Sequence, residues 1–354
     1  MNSLRLSQRV LQWWDTHRRT LPWRAAGGKA CDPYAVWLSE ILLQQTTVQA
    51  ATPYFERFIR TWPRVEDLAA ASLEDVMRAF SGLGYYSRAR NLHACAREIA
   101  RRGGRFPRTE AELRALPGIG SYTAAAIAAI AFGEPATPVD GNISRIVARL
   151  FAIEEPLPAA RSKIYKAAAA LTPADRPGDY AQALMDIGSM ICTPRKPACP
   201  TCPLRIDCLA AKSQDPAAYP RKALRKTRPV RHGAVFFLQR SDGAILVRTR
   251  PPRGLLGSTI ELPGTDWSVD FDIAEAKKSA PTHAIWRLLP GSVDQAFTHF
   301  QLRINVFSAP IIGAIQIDRE CFWLGPDDVA GAGFSSIMRK AVAHAMGSKE
   351  WSGM

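Results

Sequence analysis

The stretch "LPGIGSYTAAA", residues 116–126, places two glycines two positions apart behind a proline and then continues as an alanine-rich helical pattern. In a Gly-x-Gly turn the backbone can pass close to a partner, and the helix that follows presents unpaired N–H groups to an anion. On the motif alone, a packing turn between two helices is the commoner interpretation. A basic surrounding region and a later cysteine cluster favour a bound phosphate, which makes Pro117, Gly118 and Gly120 candidate contacts to a nucleic-acid backbone.

The sequence around this turn, from residue 4 to about 210, has the apolar periodicity of helices. Short breaks separate the periodic segments, and Asp32 followed by a proline is a helix N-cap signal. Residues 211–231 are polar, contain three prolines and seven basic residues, and show no sustained period. They indicate a linker that lies on something anionic.

Beyond residue 231 the hydrophobic period changes to two. A hairpin signal is centred on Asp242-Gly243, an alternating run covers 299–307, and a helical pattern follows near the end. A length of 354 residues favours two domains. We predict an all-α domain over 1–210 and an α+β domain over 232–354.

The formal net charge of +14 lies entirely in the first part of the chain. Residues 232–354 hold 12 Lys/Arg and 12 Asp/Glu, whereas residues 1–231 hold 34 and 20. This asymmetry fits a first domain that faces a polyanion, although charge alone fits a merely basic soluble domain equally well. Apolar runs fall short of the roughly 20 residues that span a bilayer, so we expect no membrane segment. The N-terminus lacks a secretory signal, and its "WWD" favours a packed helix over a mitochondrial transit peptide.

Four of the seven cysteines, Cys192, Cys199, Cys202 and Cys208, follow a C-x6-C-x2-C-x5-C spacing within one proline-rich loop. Four thiolates so close together can converge on a metal centre. Zinc and a pair of disulfides are the general alternatives, and disulfides are disfavoured in a chain without an export signal. The other three cysteines are isolated and are interpreted as ordinary thiols.

Two carboxylates stand in settings that suit acid–base chemistry. Asp140, in "VDGNISRI", begins a helix, where it is an ordinary N-cap and where the helix terminus would keep it ionised. Glu40, in "VWLSEILLQQT", has mostly apolar neighbours. It is either a solvated helix position or, if it faces a pocket, a carboxyl whose pKa burial raises. One protonated and one ionised carboxyl are the pair that cleavage of a glycosidic bond requires.

The chain resembles the MutY family of adenine DNA glycosylases over nearly its whole length. The resemblance rests on seven segments that follow one another in the family's order. The resemblance implies a helix-hairpin-helix glycosylase domain with the hairpin at about 113–130 and a 4Fe-4S loop at 192–208. It also implies a Nudix-like second domain. The segments that carry the resemblance are "LPWR" (21–24), "VWLSEILLQQT" (36–46), "GLGYYSRARNLH" (82–93), the hairpin, "VDGNISR" (139–145), the cysteine loop and "FTHF" (297–300).

The family removes adenine that is mispaired with 8-oxoguanine, after flipping the adenine out of the stack. Carried onto this chain, the resemblance implies that Glu40 protonates adenine N7 and that Asp140 stabilises the oxocarbenium-like sugar. Tyr122 would hydrogen-bond near Asp140, with Asn142 as a further polar neighbour. The four loop cysteines would hold one 4Fe-4S cluster, and Arg195, Lys196 and Arg205 beside them would face phosphates.

The resemblance also assigns binding residues. The implied partner is double-stranded DNA with adenine opposite 8-oxoguanine or guanine. The protein would be a monomer in the cytoplasm, associated with the nucleoid if it is bacterial. "FTHF" carries threonine where the family has serine, and "GLLGSTIELPG" lacks the family's usual tryptophan near Ile260. The implied residues are Arg19, Trp23 and Gln182 in the adenine pocket, Gln45 and Tyr85 in the duplex, and Phe297, Thr298 and His299 at 8-oxoguanine.

Three other functions are weighed against this one. An endonuclease III-like glycosylase with lyase activity needs a lysine where this chain has Tyr122. A non-catalytic scaffold for damaged DNA would use only the hairpin and the metal loop. A Nudix hydrolase would need an acidic run after Glu261, and no R-E-x-x-E-E segment follows. We therefore expect the second domain to recognise the lesion without hydrolysing pyrophosphates.

Overall fold

The computed structural model divides the chain into two compact units. One comprises Met1–Ser72 with Arg90–Arg225, and the other comprises Leu73–Ala89 with Lys226–Met354. None of the described helices is long and apolar enough to cross a membrane. The structure describes residues 3–25, 31–213, 215–223, 227–251, 254–309, 311, 315–329 and 331–347.

The described chain from Ser3 to Lys212 is built of helices, as the periodicity from residue 4 to about 210 predicts. The side chain of Asp32 accepts the backbone N–H of Tyr34 at 3.0 Å, so the predicted N-cap is present. Close helix packing explains the alanines of α8, because the backbone of this helix lies against Gly178 of α11. The α-helices are α1 (Ser3–His17), α2 (Pro33–Leu43), α3 (Val48–Thr61), α4 (Val65–Ala70), α5 (Leu73–Ala79), α6 (Ser87–Arg101), α7 (Glu110–Arg114), α8 (Ser121–Phe132), α9 (Gly141–Leu150), α10 (Arg161–Ala169), α11 (Pro177–Met190) and α12 (Leu209–Lys212).

The "LPGIGSYTAAA" stretch forms the turn between α7 and α8. Thr109 caps α7 through a reciprocal capping box with Glu112. α8 ends at Gly133, whose left-handed backbone places its N–H on the last carbonyls of the helix. The two helices flank the turn as the hairpin prediction requires.

The predicted linker is partly folded onto the helical unit. Tyr219 is buried in the hydrophobic cluster formed by α1, α9, α10 and α11. The carbonyl of Arg221 accepts the backbone N–H of Leu157 at 2.8 Å. β1 begins at Val230, inside the predicted linker. Polar composition indicated a linker, but it could not reveal these backbone contacts with a distant loop.

The second unit contains two sheets, which confirms a mixed α+β class. In one sheet β1 pairs in parallel with β6, which also pairs with β4 and β5; in the other, β2 lies between β3 and β7. The predicted turn at Asp242-Gly243 is present and is closed by an antiparallel bridge between Gln239 and Ile245, but beyond this bridge β1 and β2 separate into different sheets. The elements are β1 (Val230–Leu238), β2 (Ile245–Thr249), β3 (Ile260–Glu261), β4 (Arg287–Leu288), β5 (Val293–Ala296), β6 (Gln301–Ala309), β7 (Cys321–Leu324), α13 (Pro326–Val329) and α14 (Ser336–Met346).

Candidate active site

Glu40 lies in the interior of α2 and is only 7% exposed. It lines a cavity of about 420 Å³ in the helical unit, part of which is open to solvent. Burial is the main cause that raises the pKa of this carboxyl from 4.5 to about 7, and the charge of Asp140 raises it further. The pocket-facing alternative for Glu40 is therefore the one the structure adopts. The cavity is lined by Arg19, Leu21, Trp23, Arg24, Val36, Ser39, Glu40, Leu43, Val48, Ile130, Gln182 and Met185.

Tyr122, the second residue of α8, hydrogen-bonds through its side chain to Glu40. The phenol favours the ionised carboxylate and so partly offsets the effect of burial on the pKa of Glu40. Burial and the two nearby carboxylates raise the pKa of Tyr122 well above 10, so the phenol stays neutral. The resemblance implies a hydroxyl near Asp140, and the charge of Asp140 does act on this phenol, while the hydrogen bond is made to Glu40.

Asp140 is the N-cap of α9, as predicted. Its carboxylate accepts the backbone N–H of Ile143 at 2.7 Å and the side-chain N–H of Asn142 at 2.8 Å. These bonds lower its pKa, but burial has the larger effect, and the net result is a raised pKa. The helix terminus therefore acts on Asp140 in the expected direction, but desolvation opposes it and has the larger effect.

Asn142 connects Asp140 to the cysteine loop through Arg145. The guanidinium of Arg145 donates to Asn142 Oδ1 at 2.8 Å, to the carbonyl of Gly188 at 2.7 Å and to the carbonyl of Cys192 at 2.7 Å. A continuous chain of hydrogen bonds thus joins the carboxylate at the start of α9 to the first cysteine of the loop.

A buried carboxylate, Asp186, fixes one wall of the cavity. It is 0% exposed and accepts the backbone N–H and Nε of Arg19 at 3.1 and 2.5 Å. It also accepts both terminal nitrogens of Arg24, at 2.7 and 3.0 Å. The Arg24 guanidinium lies over the Trp14 ring, 4.8 Å from its centroid. Sequence analysis named Arg19 but missed Arg24 and Asp186, although Arg24 ends the quoted "LPWR" segment.

The remaining predicted pocket residues, Trp23 and Gln182, line the same cavity. The Trp23 ring meets Phe55 edge-on at 5.4 Å. The amide nitrogen of Gln182, one turn before Asp186 on α11, donates to the carbonyl of Gly178 at 3.3 Å. This bond uses one donor of the amide and none of the acceptor capacity of its oxygen. The structure therefore brings Glu40, Arg19, Trp23 and Gln182 together.

The structure gives different reasons for glycine at the two positions of the hairpin. Gly118 has a φ of 74°, and a Cβ there would come within 2.5 Å of the Asn91 side chain, so the fold itself requires glycine. Gly120 has an ordinary extended backbone as the N-cap of α8, and a Cβ there would meet no protein atom within 4 Å. Pro117 is half-buried beside them. Of these two glycines, Gly120 is the one with open space at a helix N-terminus.

The four predicted cysteines line one cavity of about 290 Å³. Arg149, 1% exposed, anchors this loop: its guanidinium donates to Cys192 Sγ at 3.2 Å and to the carbonyls of Thr193 and Pro194 at 2.8 Å. Among the described residues, no three metal-ligating side chains converge tightly enough to hold a single ion. Arg195, Lys196 and Arg205 are exposed around the loop.

Gln45 and Tyr85 share an unusual backbone conformation. Their φ angles are 58° and 51°, in the left-handed region that side chains other than glycine rarely adopt, and both residues are exposed. Gln45 follows the end of α2. Tyr85 projects from a turn that buried Arg88 holds through bonds to the carbonyls of Leu83 and Gly84, at 3.0 and 3.1 Å. Strain at two exposed polar tips is a recurrent sign of a binding role.

In the second unit, Thr298 and His299 form the exposed tip of the turn between β5 and β6. The backbone N–H of Phe297 donates to the carbonyl of Phe300 at 2.9 Å and closes this turn. Glu261, 2% exposed, is held by Arg248 Nε at 2.9 Å and by a close ion pair with Arg250. Both oxygens of Glu261 are thus occupied by arginines.

The two units match two family models. Residues 38–172 match the HhH-GPD superfamily of base excision DNA repair proteins, and residues 234–344 match the NUDIX domain. The first match contains Glu40, the hairpin and Asp140, and the second contains the β5–β6 turn.

Proteins similar to this one align with most of its length. A human protein named adenine DNA glycosylase is 32% identical over 393 residues, covering 94% of this chain and 72% of its own length. The adenine DNA glycosylase of Buchnera aphidicola subsp. Acyrthosiphon pisum (strain APS) is 37% identical, covering 66% of this chain and 69% of its own. Among solved structures, a thermostable thymine-DNA glycosylase superposes with a TM-score of 0.54 at 31% identity, covering 60% of this chain and 97% of its own.

Proposed function

Since this chain belongs to the adenine DNA glycosylases and is a hydrolase of base excision repair, we propose that its substrate is adenine opposite 8-oxoguanine in duplex DNA. The observation that carries the proposal is the pair Glu40 and Asp140, one buried beside a base-sized cavity with a pKa of about 7 and the other capping a helix. Adenine opposite guanine would be a poorer substrate than adenine opposite 8-oxoguanine. The enzyme would release the base and leave the sugar-phosphate chain intact.

In this mechanism Glu40 delivers a proton to N7 of the flipped adenine, which makes the base a neutral leaving group. The C1′–N9 bond breaks with its electron pair going to the base, and positive charge develops on the sugar. Asp140 stabilises that charge until water adds at C1′ and loses a proton. The Tyr122 hydroxyl orients Glu40 through their hydrogen bond. A phenol cannot form a Schiff base with C1′, so the lyase chemistry of endonuclease III-like enzymes is absent.

Adenine would be selected by the polarity of the cavity wall. The Gln182 amide oxygen accepts from the N6 amino group, while Arg19 or Arg24, which only donate, face the ring nitrogen N1. Guanine presents an acceptor at O6 and a donor at N1, so both contacts would be mismatched. A buried polar group left without a partner is the strongest basis for rejecting a similar ligand.

The DNA backbone would lie against the hairpin turn. A phosphate at the N-terminus of α8 explains why Gly120 is a glycine although no protein atom needs the space. Gln45 and Tyr85, which the backbone presents in a strained and exposed conformation, would enter the stack and fill the space that the flipped adenine leaves. The excess of basic residues in the first 231 positions fits this partner.

One 4Fe-4S cluster would be held by Cys192, Cys199, Cys202 and Cys208. Thiolates are the ligands that such a cluster takes, and the four cysteines line one cavity. Bound there, the cluster would have a structural role, stiffening the loop that carries Arg195, Lys196 and Arg205. An absorbance band near 400 nm and iron with four-sulfur ligation are expected. A zinc content of one per chain without iron would contradict the assignment.

The second unit would recognise the lesion without hydrolysing nucleotides. Oxidised guanine carries an N–H at position 7, where guanine carries an acceptor, so the Thr298 hydroxyl can accept from the first but would have to turn its own O–H toward the second. Glu261 is committed to two arginines and is not available to collect metal. Incubation with 8-oxo-dGTP and Mg²⁺ should therefore give no pyrophosphate.

The decisive experiment is adenine release from duplexes with adenine opposite 8-oxoguanine, guanine, cytosine or thymine, read by alkaline strand cleavage. We expect fastest release opposite 8-oxoguanine and slower release opposite guanine. No release from the first duplex would overturn the proposal. Borohydride trapping of a covalent protein–DNA adduct in good yield would instead restore the lyase alternative.

A further inference from the structure

The β5–β6 turn rests on a continuous row of rings in the second unit. Phe297 stacks on Phe300 with ring centroids 5.0 Å apart and planes at 22°. On its other side, Phe297 meets Trp267 at 6.3 Å and 30°. Thr298 and His299, which separate the two phenylalanines in sequence, form the tip above this row. The position of the tip therefore depends on where the rings lie.

A guanidinium lies over each end of the row. Arg250 lies 4.6 Å from the Trp267 centroid, and Arg231 lies 4.5 Å from the Phe300 centroid. Such contacts between a cation and a ring face are attractive and fix their relative position. Arg250 is itself held by buried Glu261, so the Trp267 end of the row is tied to the sheet of β2 and β3.

The sequence also makes room for the indole. Gly233 on β1 lies beneath it, and a Cβ at Gly233 would come within 2.7 Å of Trp267 Cδ1. The backbone of Ser268, the next residue, pairs with His232 through two hydrogen bonds of 2.7 and 3.0 Å. The indole of Trp267 therefore packs against β1, the guanidinium of Arg250 and the ring of Phe297.

We propose that Trp267 is a positioning residue for the Thr298–His299 tip and thereby sets the preference for 8-oxoguanine over guanine opposite the adenine. The inference rests on the proposed function, because it assigns lesion reading to this tip. Trp267 does not touch the base. It acts by holding Phe297, and through Phe297 the two residues of the tip, at a fixed height above the sheet.

The test compares single-turnover rates of adenine release from duplexes with adenine opposite 8-oxoguanine and opposite guanine. For Trp267→Leu we expect the ratio of the two rates to fall about tenfold while the rate opposite guanine is unchanged. The matched control is Trp323→Leu, because Arg240 lies 5.3 Å over that ring in a separate hydrophobic cluster of the same unit. Its ratio should stay at the wild-type value. Gly233→Ala, which displaces the indole without removing it, should lower the ratio by a smaller factor.

The outcomes separate this inference from the function on which it rests. If the wild-type enzyme releases no adenine from either duplex, the proposed function fails. If the wild-type ratio is high and Trp267→Leu keeps it, the inference alone fails. An equal fall in Trp267→Leu and Trp323→Leu would also overturn it, because general loosening of the unit would then explain both.

Discussion

The cavity beside Glu40 and the tip of the β5–β6 turn present their functional groups in opposite ways. Glu40 is 7% exposed, and its altered pKa depends on that burial. Thr298 and His299 are exposed, and they need only the right position. A carboxyl that delivers a proton near neutral pH needs a pKa above its value in water, and burial supplies that shift. A hydrogen bond that recognises a base needs no such shift.

The two sites are also supported differently. Two arginines on buried Asp186 hold the wall of the cavity, whereas aromatic rings with a cation at each end support the tip. Changes in the cavity should therefore alter the rate on every substrate in the same proportion. Changes at the tip should alter the ratio between substrates. The predictions below test this division.

The largest effect is expected for Glu40→Gln. Without the acid, adenine release should slow by about 10²- to 10⁴-fold on both duplexes, the usual contribution of general acid catalysis. Single-turnover kinetics measure the rate, and duplex affinity should stay near the wild-type value. Unaltered release would show that Glu40 is not the acid, and a loss confined to one duplex would contradict the division.

The same variant has a stability signature that a merely damaged protein would lack. A carboxyl whose folded pKa is raised destabilises the fold as the pH rises from its unfolded value toward its folded value. A pKa of about 7 against the ordinary 4.5 corresponds to about 3 kcal/mol above pH 7. Glu40→Gln should therefore be more stable than the wild type at pH 8, with little gain at pH 4, as measured by denaturant unfolding.

The second effect is expected for Asp186→Asn. The change leaves the guanidinium groups of Arg19 and Arg24 without a buried counter-charge, which should cost about 3 kcal/mol in the free energy of unfolding. Adenine release should slow on both duplexes. Asp15→Asn is the matched control, because Asp15 pairs with Arg176 at the surface and is 50% exposed. Its free energy of unfolding should change by less than about 1 kcal/mol.

The contrast between these residues shows how far the sequence could predict the site. Glu40 and Asp140 stand in recognisable segments, and local rules give the N-caps at Asp32 and Asp140. Asp186 could not be found that way, because its partners lie more than 160 positions away in the chain and no local pattern encodes such a pair. Sequence reasoning missed Arg149 for the same reason.

The fold has the same limit. Alternation located β1, β2 and β6 of the second unit, since period-two patterns depend only on neighbouring residues, but it did not reveal the shorter strands β3, β4, β5 and β7. Their pairing was not predictable, because β1 lies beside β6 and not beside β2. Tyr122 gives a third example: its position at the start of α8 could be read, but its hydrogen bond to Glu40 depends on how α2 and α8 pack.

A smaller effect is expected for Tyr122→Phe, and it concerns pH. Glu40 acts as an acid only while it is protonated, so the wild-type rate should fall as the pH rises through about 7. The Tyr122 hydroxyl lowers the pKa of Glu40, and its loss should move this decline to higher pH on both duplexes. Tyr34→Phe, whose hydroxyl donates to the carbonyl of Trp62 at 2.8 Å, should leave the profile unchanged. If the decline in rate moves to lower pH in Tyr122→Phe, the assignment is contradicted, because the hydroxyl would then raise the pKa of Glu40 and not lower it.

The smallest effect is expected for Thr298→Ser at the tip. The hydroxyl is retained, and the methyl group that is lost belongs to an exposed side chain. The ratio of the rates opposite 8-oxoguanine and guanine should therefore change by less than about threefold, which corresponds to less than about 1 kcal/mol. Thr298→Val keeps the shape but loses the acceptor, and it should lower the ratio by more than Thr298→Ser changes it. The rate opposite guanine should be the same in both. If valine keeps the wild-type ratio, the side-chain oxygen of Thr298 does not read the lesion, and the exposed neighbour His299 becomes the group to test.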